Sequence, residues 1–178
     1  MEREEFKRYN QIVNCISSLP KRMLSLHGRD NVTDFVLHDL SHEACFNLHK
    51  VAYFVNNPDF NRLKGVSGIA QKEVPQGLWT DIWNQTEMFT TYMRNSPFNR
   101  RVRDFEECCL ECAIDDDDEI IKDVAHSIGI ENPVYYSLGM KHGNQGFLVF
   151  EKNYNDTVNI DKTHILNGIS LLGFCPIF

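Results

Sequence analysis

Apolar residues recur at steps of three and four along much of the chain, which predicts amphipathic helices. The first such segment covers residues 4–19, and Pro20 should end it. A second, shorter helical segment is predicted over residues 21–26. The glycine and polar side chains that follow favour a turn, with Asp30 or Asn31 as the cap of the next helix.

The strongest helical prediction covers residues 32–55, which contain neither proline nor glycine and are followed by Asn56-Asn57-Pro58. On this helix one face should point to the core, and a separate face should carry four possible metal ligands. The predicted core positions are Leu40, Ala44, Leu48 and Val51, and the predicted ligand face comprises His38, His42, Cys45 and His49.

Three further stretches favour helices or connectors in the middle of the chain. Residues 64–69 contain two glycines and predict a loop, whereas residues 78–93 and 98–113 predict helices with aromatic and cysteine side chains inward. Another helix should follow the acidic run 115–119, where carboxylates favour a helix start. The CxxC sequence from Cys109 to Cys112 favours core packing, because a structural zinc site usually has a second such pair.

The pattern changes near the carboxyl end. Residues 134–140 and 147–151 are rich in β-branched and aromatic side chains, and the sequence Gly143-Asn144-Gln145-Gly146 between them favours an antiparallel hairpin. A third short strand at residues 158–160 and a helix over 161–172 would follow. The predicted fold is therefore α+β, a mostly helical body with a small antiparallel β-hairpin or three-stranded sheet near the C-terminus, formed as a single domain over residues 1–178.

Composition narrows the class of protein. Apolar residues make up 42% and charged residues 24% of the 178 residues, as in ordinary globular proteins. No stretch approaches the ~20 apolar residues of a membrane span, and the charged amino terminus lacks a signal sequence, so we predict a cytoplasmic protein with reduced thiols. The net charge of −7 argues against a nucleic-acid partner.

The histidine-rich segment is the main candidate for chemistry. His38 and His42 have the i, i+4 spacing of zinc-binding helices, and Asp39 lies between them. Four ligands spread over ~16 Å of helix cannot hold one ion, so a site for a divalent transition metal would use His38, Asp39 and His42 with further ligands from elsewhere. The alternative is that these side chains are neutral packing residues.

The sequence Val36-Leu37-His38-Asp39-Leu40-Ser41-His42 resembles the signature of the HD-domain metal-dependent phosphohydrolases. In that family an apolar pair precedes a His-Asp dyad that binds metal. The resemblance implies an all-helical fold, metal ligation by His38 and Asp39, and a metal-bound water that attacks a phosphate ester. An earlier helix supplies another histidine in that family, and His27 is the only earlier histidine here.

Two functions remain open from sequence. The first is a non-catalytic interaction or regulatory protein that binds a protein partner, or forms a homo-oligomer, through its acidic surface or its apolar C-terminal segment, residues 171–178. The second is a metal-dependent hydrolase that uses His38, Asp39 and His42. The C-terminal segment could instead fold back into the core of its own chain.

Overall fold

The chain builds an antiparallel sheet that is covered on both faces by helices. The computed structural model describes residues 2–26, 28–57, 59, 61–75, 81–108, 118–153 and 161–176. The helices are α1 (Glu2–Ser25), α2 (Val32–Ser41), α3 (Thr86–Asn95), α4 (Pro97–Arg103), α5 (Asp118–Ser127) and α6 (Lys162–Leu172). The strands are β1 (Leu48–Asn57), β2 (Arg62–Ala70), β3 (Glu106–Cys108), β4 (Val134–Gly139) and β5 (Gln145–Lys152).

The five strands follow the order β3-β2-β1-β5-β4, and all of their pairings are antiparallel. Strand β1 is central: Val51 faces Ile69 of β2 on one side and Phe150 of β5 on the other. Between β2 and β5 the chain passes through α3, α4, β3, α5 and β4. The sheet is therefore assembled from the middle of the chain together with the hairpin near its end.

Side chains of β1 alternate between two hydrophobic clusters. Val51 and Tyr53 pack in the cluster that includes side chains of α1, α2 and α6, whereas Ala52 and Phe54 pack in the cluster that includes side chains of α4 and α5. All four side chains are buried. Because both faces of the sheet are covered, β1 is a continuous apolar run rather than an alternation of apolar and polar residues.

The α+β class is confirmed, but the predicted mostly helical body with a small C-terminal hairpin or three-stranded sheet is wrong. The predicted helix over residues 32–55 is in fact α2, a turn and β1. Helix α2 ends at Ser41, His42 is extended, and Asn47 adopts a positive φ of 51° that lets the chain turn into β1. A strand buried on both faces has no polar face, so its period is ambiguous in sequence.

The predicted loop at residues 64–69 is also wrong, because these residues lie in β2. Its glycines mark a close approach of α4 to the sheet rather than a turn. A Cβ atom on Gly65 would lie 1.7 Å from the carbonyl oxygen of Val102, and one on Gly68 would lie 2.5 Å from the Val102 side chain. Glycine inside a strand permits such an approach.

Three helix boundaries also differ from prediction. Helix α1 continues through Pro20 to Ser25, and the buried side chains of Leu19 and Leu26 anchor the chain on both sides of the proline. The helix predicted over residues 98–113 ends at Arg103 and is followed by β3. The helix predicted over residues 78–93 is α3, which begins at Thr86. Residues 109–117, with the CxxC sequence, lie outside the described residues.

Several elements near the end of the chain are confirmed. Strands β4 and β5 form the predicted hairpin, although it is one edge of the larger sheet. Helix α6 follows Asp161, whose carboxylate caps the helix by accepting a hydrogen bond from the backbone N–H of Thr163 at 2.9 Å. Residues 158–160, the predicted third strand, lie outside the described residues. Within the described ranges no helix is long and apolar enough to cross a membrane.

Candidate functional site

A polar cavity of about 740 Å³ lies between α1, α2 and the turn that precedes α3. It contains all three sequence-predicted site residues, His38, Asp39 and His42. Its other lining residues are Gln11, Asn14, Cys15, Ser18, Arg22, Ala44, Asp81, Ile82, Trp83 and Asn84. The volume is within the range of small-molecule sites.

Asp39 is the centre of the hydrogen-bond network in this cavity. Its Oδ2 accepts hydrogen bonds from the Arg22 guanidinium at 2.6 Å and from the Trp83 indole N–H at 2.8 Å. Its Oδ1 lies 3.1 Å from Nδ1 of His38. Both carboxylate oxygens are therefore engaged, and one buried side chain joins α1, α2 and the turn before α3.

The pKa of Asp39 is lowered from its ordinary value. Burial raises this pKa, but the hydrogen bond and charge of His38, the Trp83 hydrogen bond and the charge of Arg22 together outweigh burial. The carboxylate is consequently ionised at neutral pH. Because Arg22 is half exposed, solvent screens part of its contribution.

The two histidines have different environments. His38 is buried, its Nδ1 is placed to donate to Asp39, and its ring contacts Phe89 edge-on. His42 is half-buried, and its Nδ1 accepts a hydrogen bond from the backbone N–H of Ala44 at 3.1 Å. Burial and the charge of His38 lower the pKa of His42, so its imidazole is neutral at pH 7. The ring centroids lie 5.8 Å apart.

Cys45 comes close to this region through the turn after α2 rather than through a helical face. Its thiol hydrogen-bonds with that of Cys15 on α1, whose Sγ lies 3.6 Å from the backbone oxygen of Asp39. The hydrogen bond from Cys45 lowers the pKa of Cys15, whereas the same contact and burial raise that of Cys45. Cys15 is thus the more acidic thiol of the pair.

The predicted four-ligand face does not form, because residues 48–55 are a strand. His49 lies on β1, where its Nδ1 is 3.6 Å from a carboxylate oxygen of Glu151. The predicted core positions Leu40, Leu48 and Val51 are buried, but Ala44 is exposed in the turn. Only His38 and His42 of the predicted face line the cavity together.

No group of three His, Cys, Asp or Glu side chains within the described parts of the chain is placed to hold a metal ion. Both carboxylate oxygens of Asp39 are already engaged by Arg22, Trp83 and His38. The central sheet also differs from the all-helical fold that the HD-domain resemblance implies. Metal binding by His38, Asp39 and His42 remains a prediction.

A second functional candidate lies on the outer side of α1. Five large apolar side chains are exposed there and on the C-terminal segment, and we call them the α1 apolar surface. They are Phe6, Tyr9, Val13, Leu24 and Phe174. The described part of the C-terminal segment, residues 171–176, is docked, because Leu172 and Cys175 are buried while Phe174 is exposed.

Sequence reasoning missed the residues that give the polar cavity its structure. Arg22 comes from a segment predicted as a separate short helix, and Trp83 from a predicted helical core stripe. Neither residue has a local sequence signal that links it to Asp39, since all three lie on different elements. The comparisons add no functional link, since the chain matches no known protein family, no curated protein and no solved structure.

Proposed function

We propose that the chain is a non-catalytic interaction protein that pairs with a second copy of itself through the α1 apolar surface. The observation that carries this proposal is the spacing of exposed apolar side chains on α1. Tyr9 follows Phe6 by three residues, and Val13 follows Tyr9 by four, which is the spacing of a helix–helix seam. Isolated exposed apolar residues are ordinary, but a row at this spacing marks a contact surface.

Ser17 and Pro20 follow the row on the same side of the helix, and one further exposed apolar side chain, Leu24, lies near the helix end. Leu24 lies eighteen residues after Phe6, about five full turns of 3.6 residues, so the two side chains point in the same direction about 27 Å apart. The adjacent face of α1 packs against α2 and α6 through buried residues such as Ile12 and Leu19, and the Tyr9 ring contacts His164 of α6 edge-on with ring centroids 4.9 Å apart. Phe6 and Leu24 are therefore the apolar side chains of α1 most open to a partner.

The size of the surface fits a dimer interface. The side chains of Phe6, Leu24 and Phe174 are 67%, 73% and 81% exposed, and Tyr9 is 51% exposed. With Val13 they offer roughly 700 Å² of apolar surface per copy, close to the ~800 Å² that each partner buries in a standard interface. A dimer with two-fold symmetry would bury the same surface on both copies.

The charges beside the apolar row are mixed in sign. Glu4, Glu5 and Lys7 are exposed near the start of α1, where Arg8 is half-buried, and Lys21 is exposed near its end. The apolar row rather than charge therefore carries the pairing.

Sedimentation velocity tests this function. We expect the wild-type chain to be a concentration-dependent dimer, and Phe6→Lys and Leu24→Lys to be monomers, because each places a charge in the apolar seam. Met88→Lys is the matched control: Met88 is also an exposed apolar side chain but lies on α3. A wild-type chain that stays monomeric at about 100 μM, where even a weak dimer would be populated, overturns the proposal. Loss of the dimer in the Met88→Lys variant, to the same extent as in the α1 variants, also overturns the proposal.

A second candidate, a metal-dependent hydrolase, is favoured by one observation. Asp39 orients His38 through Nδ1, which is the carboxylate–histidine arrangement that commonly supports a metal-binding imidazole. His42 lines the same cavity one turn later. In this alternative, His38, Asp39 and His42 would form the ligand core around a divalent metal, and a metal-bound water would be the nucleophile.

A further inference from the structure

We propose that a second cavity, separate from the one around Asp39, binds a small molecule through a phosphate group. This basic cavity has a volume of about 540 Å³ and lies between the start of α2, strand β2 and the helices α3 and α4. Four of its lining side chains are basic, and two are acidic. The basic residues are Arg29, Lys64, Arg94 and Arg103, and the acidic residues are Asp30 and Asp34.

One wall of the basic cavity is built from an ion pair between the buried Asp34 and the half-exposed Arg103. Asp34 is buried and accepts hydrogen bonds from Arg103 at 3.0 and 3.1 Å and from the Ser67 hydroxyl at 2.7 Å. This pairing fixes the Arg103 guanidinium at the cavity wall. It also neutralises Asp34, so that an entering anion meets a local excess of positive charge.

That excess contrasts with the rest of the chain. The protein carries a net charge of −7, yet Arg29, Lys64 and Arg94 all line this one cavity. Apart from Asp34, which pairs with Arg103, the acidic residue in its lining is Asp30. All three basic side chains are exposed to solvent. Basic residues gathered in a concave site raise the local concentration of anions and orient them.

The wall between α2 and α3 is rigid and polar. The side-chain amide of Asn31 donates a hydrogen bond to the Thr90 hydroxyl at 2.8 Å, and that hydroxyl donates to the backbone oxygen of Thr86 at 2.7 Å. Asn31, Thr90 and Thr33 all line the cavity. Guanidinium groups bind phosphate oxygens in pairs, and hydroxyl and amide groups suit the remainder of a polar ligand.

The cavity volume indicates more than a free ion. It falls within the ~300–1,000 Å³ of small-molecule sites, and a single phosphate ion would leave most of it empty. The ligand class that fits is a phosphate monoester of a small polar molecule. Inorganic phosphate carries the same group as the ester, so comparing the affinities of the ester and of inorganic phosphate shows which one the cavity binds.

Isothermal titration at low ionic strength tests the proposal with three probes: glycerol 3-phosphate, inorganic phosphate and succinate. We expect glycerol 3-phosphate to bind, and Arg94→Gln and Lys64→Gln each to weaken its binding at least about tenfold. Arg101→Gln is the matched control, because Arg101 is an exposed arginine of α4 that lies over the Phe98 ring and does not line the cavity. Tighter binding of glycerol 3-phosphate than of phosphate identifies the ester as the ligand.

Three results overturn the inference. These are no detectable binding of either phosphate compound, unchanged affinity in both cavity variants, or succinate binding as tightly as glycerol 3-phosphate. Equal binding of inorganic phosphate and the ester supports the site and assigns it to the free ion. Thermal unfolding of each variant controls for folding, and the exposed positions of Lys64 and Arg94 predict unchanged midpoints. Titration of the Phe6→Lys variant separates phosphate binding from self-association, because Leu24 and Phe174 of the α1 apolar surface lie beside Arg29 and Asp30 of the basic cavity.

Discussion

Asp34 and Asp39 lie five residues apart on α2, both are buried and both pair with an arginine of another helix, yet their pKa values shift in opposite directions. For Asp34, burial outweighs the charge of Arg103 and its hydrogen bonds, so its pKa is raised. For Asp39, the bonds and charges of His38, Trp83 and Arg22 outweigh burial. One helix thus carries a carboxylate that resists ionisation and another that favours it.

The opposite shifts predict opposite effects of pH on stability. Asp39 binds fewer protons in the folded state than in the unfolded state, so its contribution is present above its ordinary pKa of 3.8 and is lost as the pH falls below that value. Asp34 binds more protons in the folded state, so its ionisation weakens stability as the pH rises above 3.8. Asp39→Asn should therefore lower the free energy of unfolding by ~1–3 kcal/mol at pH 7 and by less well below pH 3.8, where the carboxylate is lost.

Urea denaturation of Asp34→Asn and Asp39→Asn at several pH values between about 2 and 7 checks this pair, because the Asp39 contribution is lost only below its ordinary pKa of 3.8. The cost of Asp34→Asn should shrink as the pH rises, because the substitution removes the charge that is hardest to bury. The two variants serve as controls for each other, since both replace a buried carboxylate of α2 by an amide. Parallel pH profiles would contradict the assigned shifts.

The close approach of α4 to β2 predicts a large effect at one glycine. A Cβ atom at Gly65 would overlap the Val102 carbonyl oxygen, and backbone cannot move aside as a side chain does. We expect Gly65→Ala to cost at least the ~1–3 kcal/mol of an overpacked core. Gly139→Ala is the control, because nothing lies within 4 Å of its added Cβ. If both variants unfold at the same urea concentration, the contact is not as close as described.

The type of an element could be predicted from sequence where the element has a polar face and a clear signal at its end. Helix α6 and the β4–β5 hairpin have clear end signals, namely Asp161 and the glycine-rich turn. Strand β1 was mistaken for helix because both of its faces are buried, so its apolar residues match either period over a short stretch. The glycines of β2 resemble a loop until the position of α4 is known, since only that contact explains them.

The candidate site was predictable only as far as it is local. His38 and His42 share a cavity because the helical period holds as far as Ser41. Cys45 and His49 lie beyond the end of α2. The sequence gives no signal for that end, because the C-cap residue is His42 rather than a glycine or asparagine. Arg22 and Trp83 meet Asp39 through the tertiary fold, so residue spacing within one segment could not reveal them.

The metal hypothesis has a direct test in the protein purified without an affinity tag. If His38, Asp39 and His42 bind a divalent metal, the wild-type chain should hold close to one equivalent of added zinc, manganese or iron, and His42→Ala should lose it. His49→Ala is the control, because His49 lies beside Glu151 on β1. Less than about a tenth of an equivalent in the wild-type chain excludes the site and leaves the histidines as packing residues.

The C-terminal segment supplies a final prediction, because it places a buried and an exposed apolar residue two positions apart. Leu172 is fully buried against the helical cluster, whereas Phe174 is mostly exposed. Leu172→Ala should lower the free energy of unfolding by ~2–5 kcal/mol through loss of contacts and formation of a cavity. Phe174→Ser should leave unfolding within ~0.5 kcal/mol of the wild-type value but weaken self-association, because Phe174 belongs to the α1 apolar surface. Chemical denaturation measured below the dimerisation range, together with sedimentation velocity, separates the two effects. A large loss of stability in Phe174→Ser would show that its ring packs into its own chain, and unchanged association would remove it from the interface.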